Sequence, residues 1–369
     1  MAFLEGLMAP LALLAEDGGH FAGLDGIAPE LTLVLFSLAG LVVDLVKKGK
    51  DSTLVGWITM AGLAVAGLQL AMAFGEPSRT VLGLVVVDNF AGFFKLFTVA
   101  ALMVVVYFVM NDRHERKHDI GEYYFLLISA GIGIFFMVGT NNLLLLMLGI
   151  ELLSLSSYSL AGFHKGEKRS AEAAMKYVVF GGLSAGIMVY GMSLLYGLTG
   201  TLDLTVMASA AADGIPRGLG GAVEEAPATV AIAVVLILAG FAYKVSVAPF
   251  HFWAPDVYEG APTPVTTFLA VASKAAGFGA LLRFLAVLFA GSGVQESVAA
   301  YGEQVGMLMA VLAAVTMSLG NLAAVRQESV KRMLAYSSVA HAGYALMGVV
   351  AMNQAGFEAA MYTSRPTTS

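Results

Sequence analysis

The chain has 369 residues, of which 58% are hydrophobic and 12% are charged, and its formal net charge is −6. Soluble domains carry about 25% charged residues, so this composition excludes an ordinary soluble domain and indicates a multi-pass membrane protein. The absence of cysteine excludes disulfides, thiolate metal sites and thiol catalysis. No basic patch with interleaved aromatic residues is present, which argues against nucleic acid as a partner.

Ten stretches of the chain are apolar enough to cross a bilayer, which takes about 20 mostly apolar residues. The sequence therefore predicts an all-α polytopic membrane protein with about ten transmembrane helices. The one long loop, 197–227, is expected to hold a short surface helix. The predicted spans are Ile27–Val46, Leu54–Phe74, Phe90–Met110, Tyr123–Val138, Asn142–Gly162, Ala173–Tyr196, Ala228–Val247 with a broken continuation, Val265–Phe289, Val305–Val325 and Met333–Met352.

The two ends of the chain fall outside these spans. Residues 1–26 lack the positive start of a signal peptide, because Glu5 stands there and Pro10 interrupts the apolar run that follows. We expect them to form an exterior or interfacial lead-in to a transmembrane domain over residues 27–352. Residues 353–369 begin like an eleventh helix and then end in a polar tail. This pattern predicts either a surface tail or a truncated or frameshifted chain, and we favour truncation.

Basic residues are concentrated in the loops after the first, third, fifth and ninth spans. Such loops face the cytoplasm in most membrane proteins, so the pattern predicts an outside N-terminus and cytoplasmic odd-numbered loops. The loops on the other side hold only Arg79 and Arg217. The residues of the four basic loops are Lys47, Lys48, Lys50, Arg113, Arg116, Lys117, Lys165, Lys168, Arg169, Arg326, Lys331 and Arg332.

The seventh span ends in the stretch FAYKVSVAPFHFWAPDVYEGAPTPVT, on which the rest of the chain depends. Lys244 stands at the end of the apolar run, and Pro249, Pro255, Pro262 and Pro264 follow it. Proline interrupts helical hydrogen bonding, and the freed backbone groups must find partners in protein or water. Broken helices beside ionisable residues are typical of the ion sites of transporters. We therefore expect a discontinuous seventh helix next to a site that handles ions.

Two residues near this break are expected to carry protons. Glu151 lies in the middle of the fifth span, with Ser154 on the same helical face. It is either a protonated carboxyl that bonds to a neighbouring helix or a proton-carrying acid, and we favour the acid. A buried Lys244 would give up its proton readily unless a carboxylate lies close to it. A Glu151–Lys244 pair that opens and closes would therefore act as a proton valve.

Other ionisable residues lie within the predicted spans. Lys274 is about ten residues into the eighth span, too deep for its amine to reach the interface easily, and is expected to relay protons. His341, in the tenth span, is interpreted equally well as a hydrogen-bonding residue or as a relay. Arg283 stays charged and is expected to steer or anchor. Four residues near span ends receive no role: Glu30, Asp44, Lys95 and Lys176.

Three stretches resemble the antiporter-like membrane subunits of respiratory complex I, and among these subunit N. They are residues 141–163, residues 244–266 followed by Lys274, and residues 320–344. The resemblance implies a fold of two inverted repeats, each with a discontinuous helix, of which the second is incomplete here. It also implies that the glutamate and the two lysines used by the family correspond to Glu151, Lys244 and Lys274.

The resemblance further implies a subunit of a proton-translocating NADH-quinone oxidoreductase in a bacterial plasma membrane. Protons would pass through Glu151, Lys244, Lys274 and the polar region around His341. NADH, FMN, iron–sulfur clusters and quinone would be bound by other subunits, so this chain would hold no cofactor and no metal. Its partners would be the other membrane subunits of the complex and the lipid bilayer. Two alternatives remain open: a subunit of a multisubunit sodium/proton antiporter, and a truncated scaffold that does not pump.

Overall fold

A computed structural model describes residues 24–47, 52–112, 120–209, 218–290 and 296–351. Outside these ranges lie the predicted lead-in as far as residue 23 and the predicted tail from residue 353. Six basic loop residues also fall outside them: Lys48, Lys50, Arg113, Arg116, Lys117 and Arg217.

Helices make up most of the described chain. Ten segments within it are long and apolar enough to cross a membrane, which confirms the predicted all-α multi-pass fold. Apolar runs of this length form helices because lipid offers no partner for backbone polar groups. In chain order the helices are α1 (Ala28–Lys47), α2 (Ser52–Met72), α3 (Asn89–Asn111), α4 (Ile120–Val138), α5 (Leu143–Ala161), α6 (Lys168–Thr199), α7 (Leu204–Ala208), α8 (Gly218–Glu225), α9 (Pro227–Val245), α10 (Trp253–Gly260), α11 (Thr263–Phe268), α12 (Lys274–Leu285), α13 (Glu296–Val325) and α14 (Val330–Val350).

The eighth span contains two π-helical turns. Leu269–Ser273 joins α11 to α12, and Ala286–Ala290 follows α12. The whole segment Thr263–Ala290 is the most deeply buried of the ten spans. Single π turns inside helices occur frequently at functional sites, and the first of these ends immediately before Lys274.

The loop between α2 and α3 forms an antiparallel hairpin, which the sequence did not predict. Its strands are β1 (Arg79–Val81) and β2 (Val85–Val87). Val85 also bridges Thr140, just after α4, and the residue before α5 bridges Asp203, between α6 and α7. The connections after α2, α4 and α6 therefore meet at one end of the bundle, which we call the hairpin face.

The opposite end of the bundle holds the last residues of α1, α3, α5 and α13, and we call it the basic face. Ser170 near the start of α6 donates a hydrogen bond to the carbonyl of Ala161 at the end of α5, at 2.7 Å. The basic residues that are described at this end are Lys47, Lys165, Lys168, Arg169, Arg326, Lys331 and Arg332. Apart from Arg79 in the hairpin, the described basic loop residues therefore gather at one end of the bundle, as the charge pattern predicts.

The seventh span breaks where the sequence predicts. Helix α9 ends at Val245, and the next helix begins at Trp253. Ser246 takes a left-handed backbone conformation with a φ of 63°, which is a common way to end a helix. The backbone N–H of Ala248 donates to the hydroxyl of Thr316 on α13 at 3.0 Å. A protein side chain thus satisfies a backbone group that the break frees.

Two predicted spans differ from the structure by more than three residues at one end, and one loop differs in its helices. Helix α13 begins at Glu296 rather than at Val305, because the stretch that contains Glu296 and Glu303 continues the helix beyond the apolar run. Helix α6 runs over Lys168–Thr199 rather than Ala173–Tyr196, because its polar first turn continues the helix beyond the apolar run from which the span was predicted. The loop over 197–227 holds two short helices, α7 and α8, where one was expected.

Candidate functional site

The predicted acid lies in the middle of α5. The side chain of Asn142 caps this helix by accepting hydrogen bonds from two backbone N–H groups of the first turn, which fixes where the helix starts. Glu151 and Ser154 follow one turn apart, so they project from the same face. Glu151 is half-buried and Ser154 is buried. This face of α5 is therefore polar at mid-membrane depth.

Lys244 comes from the last turn of α9 and meets this face. Its side chain is buried, and its Nζ donates a hydrogen bond to Ser154 Oγ at 3.1 Å. The ammonium thus bonds to the serine rather than forming a salt bridge with Glu151, although the two charges are close enough to interact. The structure therefore places Glu151 and Lys244 near each other without a salt bridge between them, and we call this arrangement an open pair.

Lys274 is the first residue of α12 and is also buried. Its Nζ donates to Ser338 of α14 twice, to the carbonyl at 2.8 Å and to the hydroxyl at 2.6 Å. It also lies over the ring of Tyr258, 5.9 Å from the ring centre. No carboxylate within the described residues pairs with it. Lys274 is therefore a buried cation held only by neutral groups, which suits a residue that gains and loses a proton.

Gly277 explains how α12 approaches α9 so closely. A Cβ added to Gly277 would lie 2.7 Å from the Val245 side chain and 3.4 Å from Cγ of Lys244. Gly277 follows Lys274 by three residues, so it shares a face with it. The absence of a side chain there lets the helices that carry the two lysines pack together.

The structure places His341 away from this cluster. Its ring is exposed on the described chain, with Nδ1 2.8 Å from the carbonyl of Ser337 and an edge contact to Tyr344. Lys274 reaches Ser338, one turn before His341, and not the histidine itself. The predicted relay role of His341 remains a prediction.

Arg283 anchors the far end of α12 at the hairpin face. Its guanidinium donates to the carbonyl of Val138 and to Asp88, both at 2.8 Å, and to Asn141 at 3.4 Å. Asp88 in turn caps α3 through the backbone N–H of Ala91. One side chain therefore joins α12 to the ends of α3 and α4, which agrees with the expected anchoring role.

A cluster of charged residues, not predicted from the sequence, holds α10 at the basic face. Asp256 bonds Lys176 of α6 and Arg332 of α14, both at 2.6 Å. A cavity of about 230 Å³ opens here and is lined by both signs of charge. Burial by itself would raise the pKa of Asp256, but hydrogen bonds from Lys176 and Arg332 outweigh it and hold that pKa below its usual value. The segment after the break is thus clamped to two neighbouring helices.

A second Glu–Lys pair was also missed. Glu30 of α1 and Lys95 of α3 form a buried salt bridge of 2.6 Å. Both residues lie near a span end, and for that reason neither was assigned a role from the sequence. The sequence does contain a signal for this pair: Glu30 and Lys95 have opposite charges and lie in apolar spans, near ends that reach the same membrane surface.

The sequence matches a family model described as NADH:quinone oxidoreductase/Mrp antiporter, transmembrane, over residues 140–364. Two curated relatives, from Chlorobium chlorochromatii and Anaeromyxobacter sp., are each named NADH-quinone oxidoreductase subunit N. They are 42% and 41% identical to this chain, each over 90% of it. The chain covers 64% and 65% of their lengths, so it spans just under two thirds of these relatives.

Two solved structures share the fold. A chain of respiratory complex I from Thermus thermophilus with bound aureothin matches with a TM-score of 0.70 and 32% identity, over 91% of this chain and 68% of that chain. A chain of the Mrp complex from Dietzia sp. matches with a TM-score of 0.72 and 22% identity, over 93% of this chain and 62% of that chain. The second likeness, at this identity, concerns the fold alone.

Proposed function

The chain belongs to the NADH:quinone oxidoreductase/Mrp antiporter membrane family, and on that premise we propose that it is a proton-translocating subunit of an NADH-quinone oxidoreductase. The observation that carries the proposal is the group of buried ionisable residues at the helix break. Glu151, Lys244 and Lys274 lie on three helices that meet there. Charges at this depth cost at least ~2.5–3.5 kcal/mol each, so they are not expected without a use.

The proposed mechanism uses the distance between Glu151 and Lys244. When the ammonium approaches the carboxylate, their attraction holds the proton on Lys244. When it withdraws to Ser154, as in this structure, burial favours the neutral amine and the proton can leave. A disturbance that moves α9 against α5 thus becomes a proton movement.

Lys274 is proposed to receive the proton after Lys244. It lies on α12, which packs against α9 through Gly277. Among the described residues, the contacts of its Nζ are a hydroxyl, a carbonyl and an aromatic ring, so no fixed negative charge there traps its proton. The onward route is proposed to run through Ser338 toward the face of α14 that carries His341.

The setting of the subunit follows from the same premise. We assign it to the bacterial inner membrane, with the hairpin face outside, beside the other membrane subunits of the complex. NADH, FMN, iron–sulfur clusters and quinone are assigned to other subunits. Within the described residues, no group of three or more histidine, aspartate or glutamate side chains could hold a metal ion.

The test is Lys244→Ala in the complex assembled in membranes. NADH oxidation and proton uptake are measured together in inverted vesicles, with exposed Lys165→Ala as the matched control. The proposal expects the Lys165 variant to pump normally and the Lys244 variant to lose pumping. Normal pumping by Lys244→Ala would remove the assigned role.

A sodium/proton antiporter subunit is the second candidate, because the matching family model covers Mrp antiporters as well. Proton exchange that depends on sodium and proceeds in vesicles without NADH would favour it. A chain that co-purifies with its partners and supports no pumping would instead favour a scaffold. The relatives at about 40% identity are named as oxidoreductase subunits, which favours the first proposal.

A further inference from the structure

The Glu30–Lys95 salt bridge is a buried ionisable site outside the proposed relay. Both side chains are 3% exposed, and Nζ lies 2.6 Å from Oε1. Lys95 is the seventh residue of α3, roughly 9 Å along the helix from its start. Its ammonium lies over the ring of Phe135 on α4, 5.5 Å from the ring centre. Lys95 therefore does not reach back to the membrane surface, as a lysine near a span end usually does.

Stability alone is a weak reason for this pair. Replacing a buried ion pair by well-packed apolar residues is often neutral or stabilising, because removing two charges from water costs more than their attraction returns. A purely structural pair also needs hydrogen bonds to its remaining polar atoms. Oε2 of Glu30 is buried and accepts no hydrogen bond from any described residue. The pair is thus incomplete at one carboxylate oxygen.

The other end of the pair opens toward the hairpin face. Lys95 lines a cavity of about 50 Å³, and Glu30 does not. A cavity needs roughly 10–15 Å³ to hold one water molecule, so this one has room for a few. Asp25, Arg79 and Asp88 also line it. Lys95 therefore borders a mainly apolar cavity that also holds charged residues, while Oε2 of Glu30 is enclosed by protein.

The other charged groups near the cavity are already paired. Arg79 bonds Asp25 at 2.5 Å, where both are partly exposed. Asp88 bonds Arg283 at 2.8 Å. In the described chain, Lys95 is thus the cation at this cavity whose partner lies deeper in the protein.

Helix α3 connects this pair to the helix that carries Lys274. Phe94, immediately before Lys95, packs its ring against Gly279 of α12, where an added Cβ would lie 3.0 Å from the ring. Gly279 follows Lys274 by five residues. A movement of α12 would therefore press directly on the segment of α3 that holds the pair.

We propose that Glu30 and Lys95 form a proton-exchange site that releases protons to the hairpin face; this rests on the proton transport proposed above. A proton arriving from the protein side binds Oε2 of Glu30 and neutralises the carboxylate. The N–H bond of Lys95 then breaks toward water in the cavity, and the proton on Glu30 passes to Nζ. One proton enters, one leaves, and the ion pair is restored.

Lys95→Arg separates this role from a structural one. Arginine keeps the positive charge and the ion pair with Glu30, but its guanidinium does not give up a proton in proteins. We expect assembled complexes with this variant to oxidise NADH in uncoupled membranes as the wild type does and to lose proton release. Lys165→Arg, the same change at an exposed position, is the control and should pump normally.

The double variant Glu30→Gln, Lys95→Met gives a second, independent reading. It removes both charges together and leaves no unpaired ion, so a structural role would be largely restored. The proposal expects pumping to stay lost in the double variant. Restored pumping there, or normal pumping by Lys95→Arg, would overturn it.

Lys244→Ala, measured in the same vesicles, distinguishes the two proposals. If Lys244→Ala loses pumping and Lys95→Arg pumps normally, the exchange site is wrong and the proposed function stands. If both variants pump normally, both proposals are wrong.

Discussion

Two Glu–Lys pairs that join different membrane helices differ in almost every respect. Glu30 and Lys95, near the hairpin face, form a closed salt bridge of 2.6 Å. Glu151 and Lys244, at the helix break, are open, and the lysine bonds Ser154 at 3.1 Å. The same two residue types are therefore arranged once as a tight ion pair and once as a pair that can still close.

The helices around each pair account for the difference. Glu30 and Lys95 lie on the continuous helices α1 and α3, whose backbones fix the two side chains against each other. Lys244 stands in the last turn of α9, next to the left-handed Ser246 and the segment that precedes α10. A lysine at a helix end can change its partner with a small backbone movement. An open pair at a break is thus suited to changing its partners, whereas the closed pair between whole helices keeps the same two side chains in contact.

The largest expected effect comes from breaking the closed pair on one side only. Glu30→Gln leaves Lys95 buried without a counter-charge, and removal of one partner of a buried pair costs about 3–5 kcal/mol of stability. Glu151→Gln should cost less, because no salt bridge is broken there. Thermal unfolding of the purified complexes compares them. Equal losses for the two variants would contradict the distinction between closed and open pairs.

A smaller effect is expected from crowding the open pair. Gly277→Ala puts a methyl group 2.7 Å from the Val245 side chain, and overpacking of this kind costs about 1–3 kcal/mol. The added methyl group also displaces the end of α9. We therefore expect a larger fractional loss of proton pumping than of the free energy of unfolding. Gly182→Ala, on α6 with open space around it, is the matched control. If Gly277→Ala and Gly182→Ala pump protons equally well, the close approach of α12 to α9 does not affect proton pumping.

The smallest effect concerns the clamp that holds α10 after the break. Asp256→Asn weakens the bonds to Lys176 and Arg332, and partly exposed pairs of this kind contribute at most about 1 kcal/mol. The pKa of Asp256 is lowered in the folded chain, so its contribution is complete at neutral pH and is lost as the pH falls below about 4. The stability of wild type and variant, measured against pH, should converge in acid. If the difference in stability between wild type and variant stays constant with pH, Asp256 does not supply this pH-dependent contribution to stability.

Much of the fold could be predicted, because membrane spans are set by length and apolarity alone. The break after Lys244 was also predictable, since a lysine followed by prolines leaves few other conformations. The hairpin was not, because its strands are three residues long and depend on a bridge to Thr140 far along the chain. The extended α6 was missed because its first turn is polar.

Apart from His341, the residues that lie near the helix break could be predicted from the sequence, but their contacts could not. Glu151 and Lys244 were expected together, and the structure brings them together through Ser154. The Glu30–Lys95 contact was not predicted, because position near a span end says nothing about what the side chain meets. Its partner Glu30 lies 65 residues away in sequence. Pairing across helices is a property of packing, which a single sequence read span by span does not contain.

Proton pumping by Lys244→Arg tests the central claim most directly. Arginine keeps a positive charge at the helix break and can still donate to Ser154, but it does not release a proton. The ratio of protons moved to NADH oxidised is measured in inverted vesicles that contain the assembled complex. We predict that this ratio falls to the value of Lys244→Ala. A ratio equal to that of the wild type would mean that position 244 supplies only a charge, and the proposed proton valve would be wrong.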